Sequence, residues 1–446
     1  MASLRKVFSR FFLSWHFFVG LALLVLLYTT AYLFPTTLYI VHGAAILFGL
    51  ICLYEYWILF SFGEIKGSRT FKDKLSNGDE NKIEIHLEST YPQSIHLEII
   101  DELPVEWQVR NFLIQYDLKA KERKSFPYFF RPVRRGNFVF GHVQVLVSIQ
   151  PGFLKRRFTL AEEAEVQVFP SYISMLKYEY LAISNTLVQA GIKKIRRIGQ
   201  QTEFEKIREY IPGDEFRVIN WKATARRNKL MANTYQDERS QQVYCIIDKG
   251  RVMDQPFNRM SLLDYAINAS LVLSNIAIKK YDKAGILTFD EQEVQMLPAH
   301  RKSGQMLQIQ ELLFKQETRF LESDYDRLFF NIKRQIPQRS LLVLFTNFDT
   351  VNAMERRLRY LKQLSRNHLL LVVFFDNTET LSLIQDKAKN LQQVYHKLVA
   401  EKMRYEKEQI VSELRKHGII SLLSKPEDLT INTINRYLEL KARGLI

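Results

Sequence analysis

The chain has 446 residues, 47% of them hydrophobic and 25% charged, with a formal net charge of +15. That length suits two or three domains, and the basic excess favours anionic partners: phospholipid head groups, nucleic acid or acidic proteins. Only two cysteines occur, Cys52 and Cys245, both in apolar runs; this excludes a disulfide framework and a cysteine-rich zinc site and fits a reducing compartment.

Residues 11–34 and 38–62 are nearly unbroken apolar runs, each near the roughly 20 residues that cross a bilayer. Pro35, Thr36 and Thr37 alone separate them, and no small-residue cleavage site follows the first. The pair predicts a transmembrane helical hairpin over 1–62. Arg5, Lys6 and Arg10 precede it and Lys66, Arg69, Lys72 and Lys74 follow it, so the positive-inside rule places both termini in the cytoplasm. His16, His42 and Glu55 are polar intruders in the hairpin. Glu55 has two readings: a functional membrane carboxylate, or a hydrated or helix-contacting one near the cytoplasmic end.

Within 63–170 the period changes to two from Lys82 to about Pro170, as in Ile83, Ile85 and Leu87, then Ile95, Leu97 and Ile99. Short alternating runs punctuated by Gly and Pro predict an antiparallel β-sandwich. A charged connector follows over 171–242. Its Ile211-Pro212-Gly213-Asp214 run has the Pro and Gly placement of a type II turn. Arg208, Arg217, Trp221, Arg226 and Arg227 flank that turn. Two readings stand: a polar clasp in which Asp214 pairs with an arginine and Trp221 packs on the sheet that follows, or a docking surface for an acidic partner.

Over 243–446 strands and helices alternate. Strands are predicted at 243–247, 284–289, 341–345 and 369–375, with helices at 261–279, 325–335, 351–364, 381–416 and 426–442. Such alternation predicts a largely parallel, doubly covered sheet. Asp248 ends the first strand, at the edge where open α/β sheets place their ligand crevice. Walker A, Gly-x-Ser-x-Gly and His-Glu-x-x-His motifs are all missing from the sequence.

The run Arg208-x-Tyr210-x-Pro212-Gly213-Asp214-x-x-Arg217-x-Ile219-x-Trp221, followed by Ala225-Arg226 and a strand ending in Asp248, resembles the bacterial domain-of-unknown-function family 58 (DUF 58). Arg135-Gly136-Asn137-Phe138-x-Phe140-Gly141 and the paired N-terminal helices carry the resemblance across the chain. It implies a von Willebrand factor A-like (Rossmann-type) α/β domain at 243–446. It also implies association with a MoxR-type AAA+ ATPase at the bacterial inner (cytoplasmic) membrane, multi-pass, with both termini cytoplasmic.

Domains of that type often hold Mg²⁺ through Asp-x-Ser-x-Ser, a later Thr and a later Asp, which supply the hard oxygens the ion needs. Here the first motif reads Asp248-Lys249-Gly250-Arg251-Val252; Ser323 stands at the threonine position, and Thr346-Asn347-Phe348-Asp349 spans the later aspartate. Hydroxyls are lost at 250 and 252, and Lys249 and Arg251 oppose a dication. The expectation is a degenerate site without metal or other cofactor, with Asp248 held by backbone N–H groups or by a salt bridge to Arg251.

The leading expectation is therefore a membrane-anchored protein-interaction scaffold and not an enzyme. Anionic membrane lipids are a second expected partner, and nucleic acid, resting on net charge alone, is not expected. The alternative is a divalent-metal-dependent ligand-binding domain using Asp248, Ser323 and Asp349. A third reading is a hydrolase with Asp248 and Asp290 as paired carboxylates.

Overall fold

The structure, a computed structural model, describes residues 11–109, 112–183, 202–211, 216, 219–237, 240–376, 383–384 and 390–446. The chain divides into two compact units, Met1–Val168 and Phe169–Ile446.

The first unit opens with strand β1 (Phe11–Leu13), followed by helices Trp15–Leu33 and Leu38–Ser61. Both helices are long and apolar enough to cross a membrane. Ten strands follow among the described residues: β2 (Ile65–Thr70), β3 (Lys74–Ser76), β4 (Asn81–Ser89), β5 (Ile95–Asp101), β6 (Ile114–Leu118), β7 (Arg123–Phe130), β8 (Gly136–Phe140), β9 (Val143–Ser148), β10 (Leu154–Leu160) and β11 (Ala164–Phe169). With β1 they build one sheet of five strands in the order β1-β10-β9-β5-β6 and two of three, β2-β4-β7 and β3-β11-β8, with antiparallel pairing throughout the first two and between β11 and β8. The period-two pattern has its expected consequence: Ile83, Ile85 and Leu87 of β4 point inward to meet Leu97, Ile99, Val145 and Val147.

The apolar hairpin and the β sheets are joined by polar groups. Glu55 is fully buried, and its carboxylate accepts the backbone N–H groups of Gly152 (2.8 Å), Phe153 (3.2 Å) and Leu154 (2.8 Å). Near the end of its helix, where carbonyls lack intrahelical donors, Leu59 O accepts from Tyr91 Oη (2.8 Å) and from Arg156 Nη1, which also donates to Gly63 O just past the helix (3.0 Å). β1 pairs with β10 from the other end of the hairpin, with Phe11 opposite Arg156. Of the two readings of Glu55, the contact is with the β unit's backbone, and its acceptor capacity is spent on fixing a helix end.

In the second unit, helix Tyr172–Ile183 leads to a two-stranded antiparallel ribbon of β12 (Thr202–Glu209) and β13 (Met231–Asp237), with helix Trp221–Arg227 between them. β14 (Gln242–Asp248) begins the main sheet, a small hairpin of β15 (Pro256–Phe257) and β16 (Met260–Ser261) follows, and then come β17 (Lys283–Phe289), β18 (Val294–His300), β19 (Leu341–Phe345), β20 (Leu369–Phe375) and β21 (Ile420–Ser424). The six-stranded sheet runs β18-β17-β14-β19-β20-β21, parallel except for the antiparallel edge strand β18. Its central strands are apolar without alternation because both faces are covered. Tyr244 and Ile246 pack with Leu328, Ile332 and Leu361 on one side, while Cys245 faces Ser274 of the nearly all-buried helix Leu262–Lys279 on the other.

The expected strands and most of the helices recur within a few residues. The exceptions are the long helix, described from Leu391, where Asn390 caps it by accepting the Gln393 N–H (2.8 Å), and elements beyond those expected, strands β18 and β21 and helix Gln305–Phe314 among them. Residues 381–382 and 385–389 of the expected 381–416 helix lie outside the described residues.

Candidate functional site

Three adjacent strands, β17, β14 and β19, end together, since their registers place Asp248 opposite Phe289 and Ile247 opposite Phe345. Asp248, Asp290 and Thr346–Asn347 therefore stand side by side at the C-terminal edge of a parallel sheet. Each has its own partner.

Asp248 is 1% exposed. One carboxylate oxygen accepts the Gly250 N–H (2.8 Å) and the Ser323 hydroxyl, and the other accepts the Thr346 hydroxyl (2.7 Å). Tyr325 Oη lies 3.1 Å from the second oxygen and 2.8 Å from Thr346 Oγ1. A phenol has one proton to give, and the shorter distance favours a relay in which Tyr325 donates to Thr346 and Thr346 to Asp248. Burial, and secondarily the Asp248 charge, push the Tyr325 phenol well above its ordinary pKa, which keeps it a neutral donor.

Lys249 turns the other way, its ammonium 3.2 Å from Asp290 with both side chains buried. Burial alone would raise the Asp290 pKa. The backbone N–H groups of Glu293 (2.7 Å) and Gln292 (2.8 Å), together with Lys249, outweigh it and hold the carboxyl below its ordinary range. Asp248 and Asp290, the two carboxylates of the hydrolase reading, are thus engaged by different partners, one by hydroxyls and one by an ammonium.

The third strand end holds a group that the sequence does not announce. Lys407, from the long helix, donates to Asn347 Oδ1 (2.6 Å) and to the Phe348 carbonyl (2.7 Å). Burial lowers its ammonium pKa from 10.5 to about 8, against the raising influence of Asp349 and Asp376. A faint signal does exist in the sequence. Lys407 falls on the stripe of Ala400, Ile410 and Leu414 that the helix buries, where an ordinary surface lysine does not belong.

The donor set does not fit a Mg²⁺ site. Among the described residues there is no group of three or more His, Cys, Asp or Glu side chains able to hold a metal. The one central carboxylate already has protein donors on both oxygens, and ammonium groups occupy the two neighbouring strand ends. A hard dication needs about six oxygen ligands in near-octahedral array. The lost hydroxyl at 250 has also left no vacancy, because a Cβ there would overlap Ser323 Oγ. Gly250→Ala is expected to swing the Ser323 hydroxyl away from Asp248 and to cost about 1–3 kcal/mol, read as a shift of the denaturation midpoint.

The other expected site residues are dispersed. Arg251 pairs with Glu322 at the surface (3.2 Å) and not with Asp248, because its backbone N–H is fixed on Leu321 O and its side chain leaves the cluster. Asp349 is exposed and accepts from Gln255 (3.3 Å), away from Asp248 and Ser323. Arg208 donates to the Glu209 carbonyl (3.2 Å). Trp221 does not pack on the sheet: it is 68% exposed as the first residue of its short helix, which Asn220 caps by accepting the Ala223 N–H (3.0 Å). Arg226 is exposed on the same helix. Pro212, Gly213, Asp214 and Arg217, on which the clasp reading depends, lie outside the described residues.

Residues 206–392 match the family described as "Protein of unknown function DUF58". A 214-residue stretch is 26% identical to the uncharacterized protein YeaD of Bacillus subtilis (strain 168), covering 45% of this chain and 50% of that protein, so the chain spans about half the length of this curated relative. Among solved structures, the CARDB domain of the PF1109 protein from Pyrococcus furiosus is 13% identical over 24% of this chain and 90% of its own, with a TM-score of 0.17. Proximal thread matrix protein 1 from the mussel byssus is 9% identical over 44% and 47%, with a TM-score of 0.27. Neither score assigns a fold. Residues 206–392, which hold most of the ribbon and all three strand ends, are thus similar to the DUF58 family of proteins of unknown function.

Proposed function

We propose that the protein is a non-enzymatic scaffold anchored in the bacterial inner membrane, with both termini cytoplasmic and its α/β unit, of von Willebrand A-like type, offered to a protein partner. The observation that carries this reading is the sheet edge. In an open α/β sheet the carboxyl ends of the strands are where a ligand is bound, and here the polar groups of those ends are consumed by one another: Asp248 by hydroxyls, Asp290 by Lys249, Asn347 by Lys407. No nucleophile–base pair stands among these contacts. An edge so fixed favours a rigid platform over a reaction centre. Lysine and arginine on both sides of the apolar hairpin support the orientation, and the DUF 58 motifs support a MoxR-type AAA+ ATPase as the partner.

The test is affinity capture with the detergent-solubilised full chain and the MoxR-type ATPase of the same organism. Retention of the ATPase in its nucleotide-bound state, weakened by charge reversal at the exposed Arg251, is the expected result. Failure to retain it with or without nucleotide overturns the partner assignment.

A further inference from the structure

The outer face of the ribbon has a composition that the sheet edge does not explain. Phe216 is 80% exposed and Trp221 68%, and Ile211 and Leu230 are exposed beside them. Lys222, Arg226, Arg227 and Lys229 are exposed on the same short segment. Lys229 is matched by Glu209 (3.0 Å), whereas Lys222, Arg226 and Arg227 have no ion-pair partner among the described residues. Those three cations rim a cavity of about 280 Å³ between strand and helix, floored by Ile207 and Met231.

We propose that this face docks on an anionic phospholipid surface, with Phe216 and Trp221 seated at head-group level and Lys222, Arg226 and Arg227 around a lipid phosphate. Exposed aromatics interleaved with basic side chains are the composition that lies in a bilayer interface, and Trp is the residue most at home there. The exposed apolar side chains are distributed along the segment at positions 211, 216, 221 and 230. A fluid interface accommodates such side chains, whereas a folded protein partner would have to match each one. Charge decides the lipid class, since three cations without an ion-pair partner among the described residues are drawn to an acidic leaflet. The proposal rests on the reading of the N-terminal hairpin as a membrane anchor, which keeps a bilayer within reach of the ribbon. It does not depend on the ATPase partnership.

The test uses the full chain in nanodiscs of phosphatidylcholine alone or mixed with phosphatidylglycerol, with lipids brominated near the head group as quenchers. The Trp221 signal is the difference between wild type and Trp221→Phe, while Trp15 and Trp57 report insertion of the hairpin. The expected result is quenching of Trp221 in the acidic discs that disappears in neutral discs, in high salt and in Arg226→Glu/Arg227→Glu. Those two reversals should lower the docking equilibrium on the order of 100-fold. Both arginines are exposed, so an unchanged unfolding midpoint verifies that the variant is folded. Unquenched Trp221 in acidic discs, with Trp15 and Trp57 quenched, overturns the proposal and leaves the face to an acidic protein. Equal quenching in both disc types and in the double variant overturns the charge-led docking. If Trp15 and Trp57 are also unquenched, the hairpin reading fails and the proposal falls with it.

Discussion

Asp248→Ala is expected to destabilise the second unit by about 3–5 kcal/mol, the cost of stripping a shared acceptor from several buried donors. The Gly250 N–H is fixed by the backbone and cannot turn elsewhere, and the Ser323 and Thr346 hydroxyls lose the charged group they donate to. Asp248→Asn should cost less, about 1–2 kcal/mol. Its amide oxygen can still face Gly250, and Thr346, whose hydroxyl rotates, can accept from the amide nitrogen and donate to Tyr325 instead. The order Ala worse than Asn is the signature of a hydrogen-bonding role. Denaturant unfolding of the full chain in detergent measures it, and equal losses for the two variants would contradict the hydroxyl-relay geometry.

The second large effect belongs to Lys407. Its folded-state pKa, about 8, lies below the ordinary 10.5 because the ammonium is buried. Below pH 8 the folded and unfolded chains both hold the proton, and the full cost of burying a charge is borne. Between pH 8 and 10.5 the unfolded chain keeps a proton that the folded chain has released, so this group's contribution to stability rises with pH. At 1.36 kcal/mol per unit, the gain from pH 7 to about pH 9.5 is about 2 kcal/mol. Lys407→Met should remove that slope. It should also cost about 1–3 kcal/mol in any pH range, because Asn347 Oδ1 and the Phe348 carbonyl lose their donor. Asp349 and Asp376 are the acidic groups acting on the ammonium. Denaturation midpoints of wild type and variant at the two pH values give the difference, and a variant with the same pH slope as wild type would contradict the assignment.

These effects also mark where the sequence stops being legible. The strand under Asp248 is readable because Val243 to Ile247 is a continuous apolar run, the mark of a strand covered on both faces. The β unit is readable because its inward residues alternate. Ser323 is readable as a neighbour of Asp248 through the spacing that the DUF 58 resemblance implies. Tyr325, which has no counterpart in that motif, lies 77 residues from Asp248 and reaches it only through tertiary packing. Asn347 and Lys407 are 60 residues apart and give no local signal beyond a lysine on an apolar stripe. The misplacement of Trp221 has the same origin. Composition puts an aromatic near a sheet, but the short helix that begins at this residue turns the ring to solvent. For Arg251 the difference is one of direction, since sequence proximity to Asp248 does not set where a long side chain leaves the backbone.

One reading makes the strand-end aspartate a metal ligand, whereas its contacts make it the centre of a closed hydrogen-bond cluster. The most direct test is thermal unfolding of the full chain, wild type and Asp248→Asn, in excess Mg²⁺ and in EDTA. An ion bound at 100 times its Kd would add about 2.7 kcal/mol to the folded state. The closed cluster predicts the same wild-type midpoint in both conditions and the same drop for Asp248→Asn in both. A wild-type midpoint that rises with Mg²⁺, by an amount that Asp248→Asn abolishes, would contradict it.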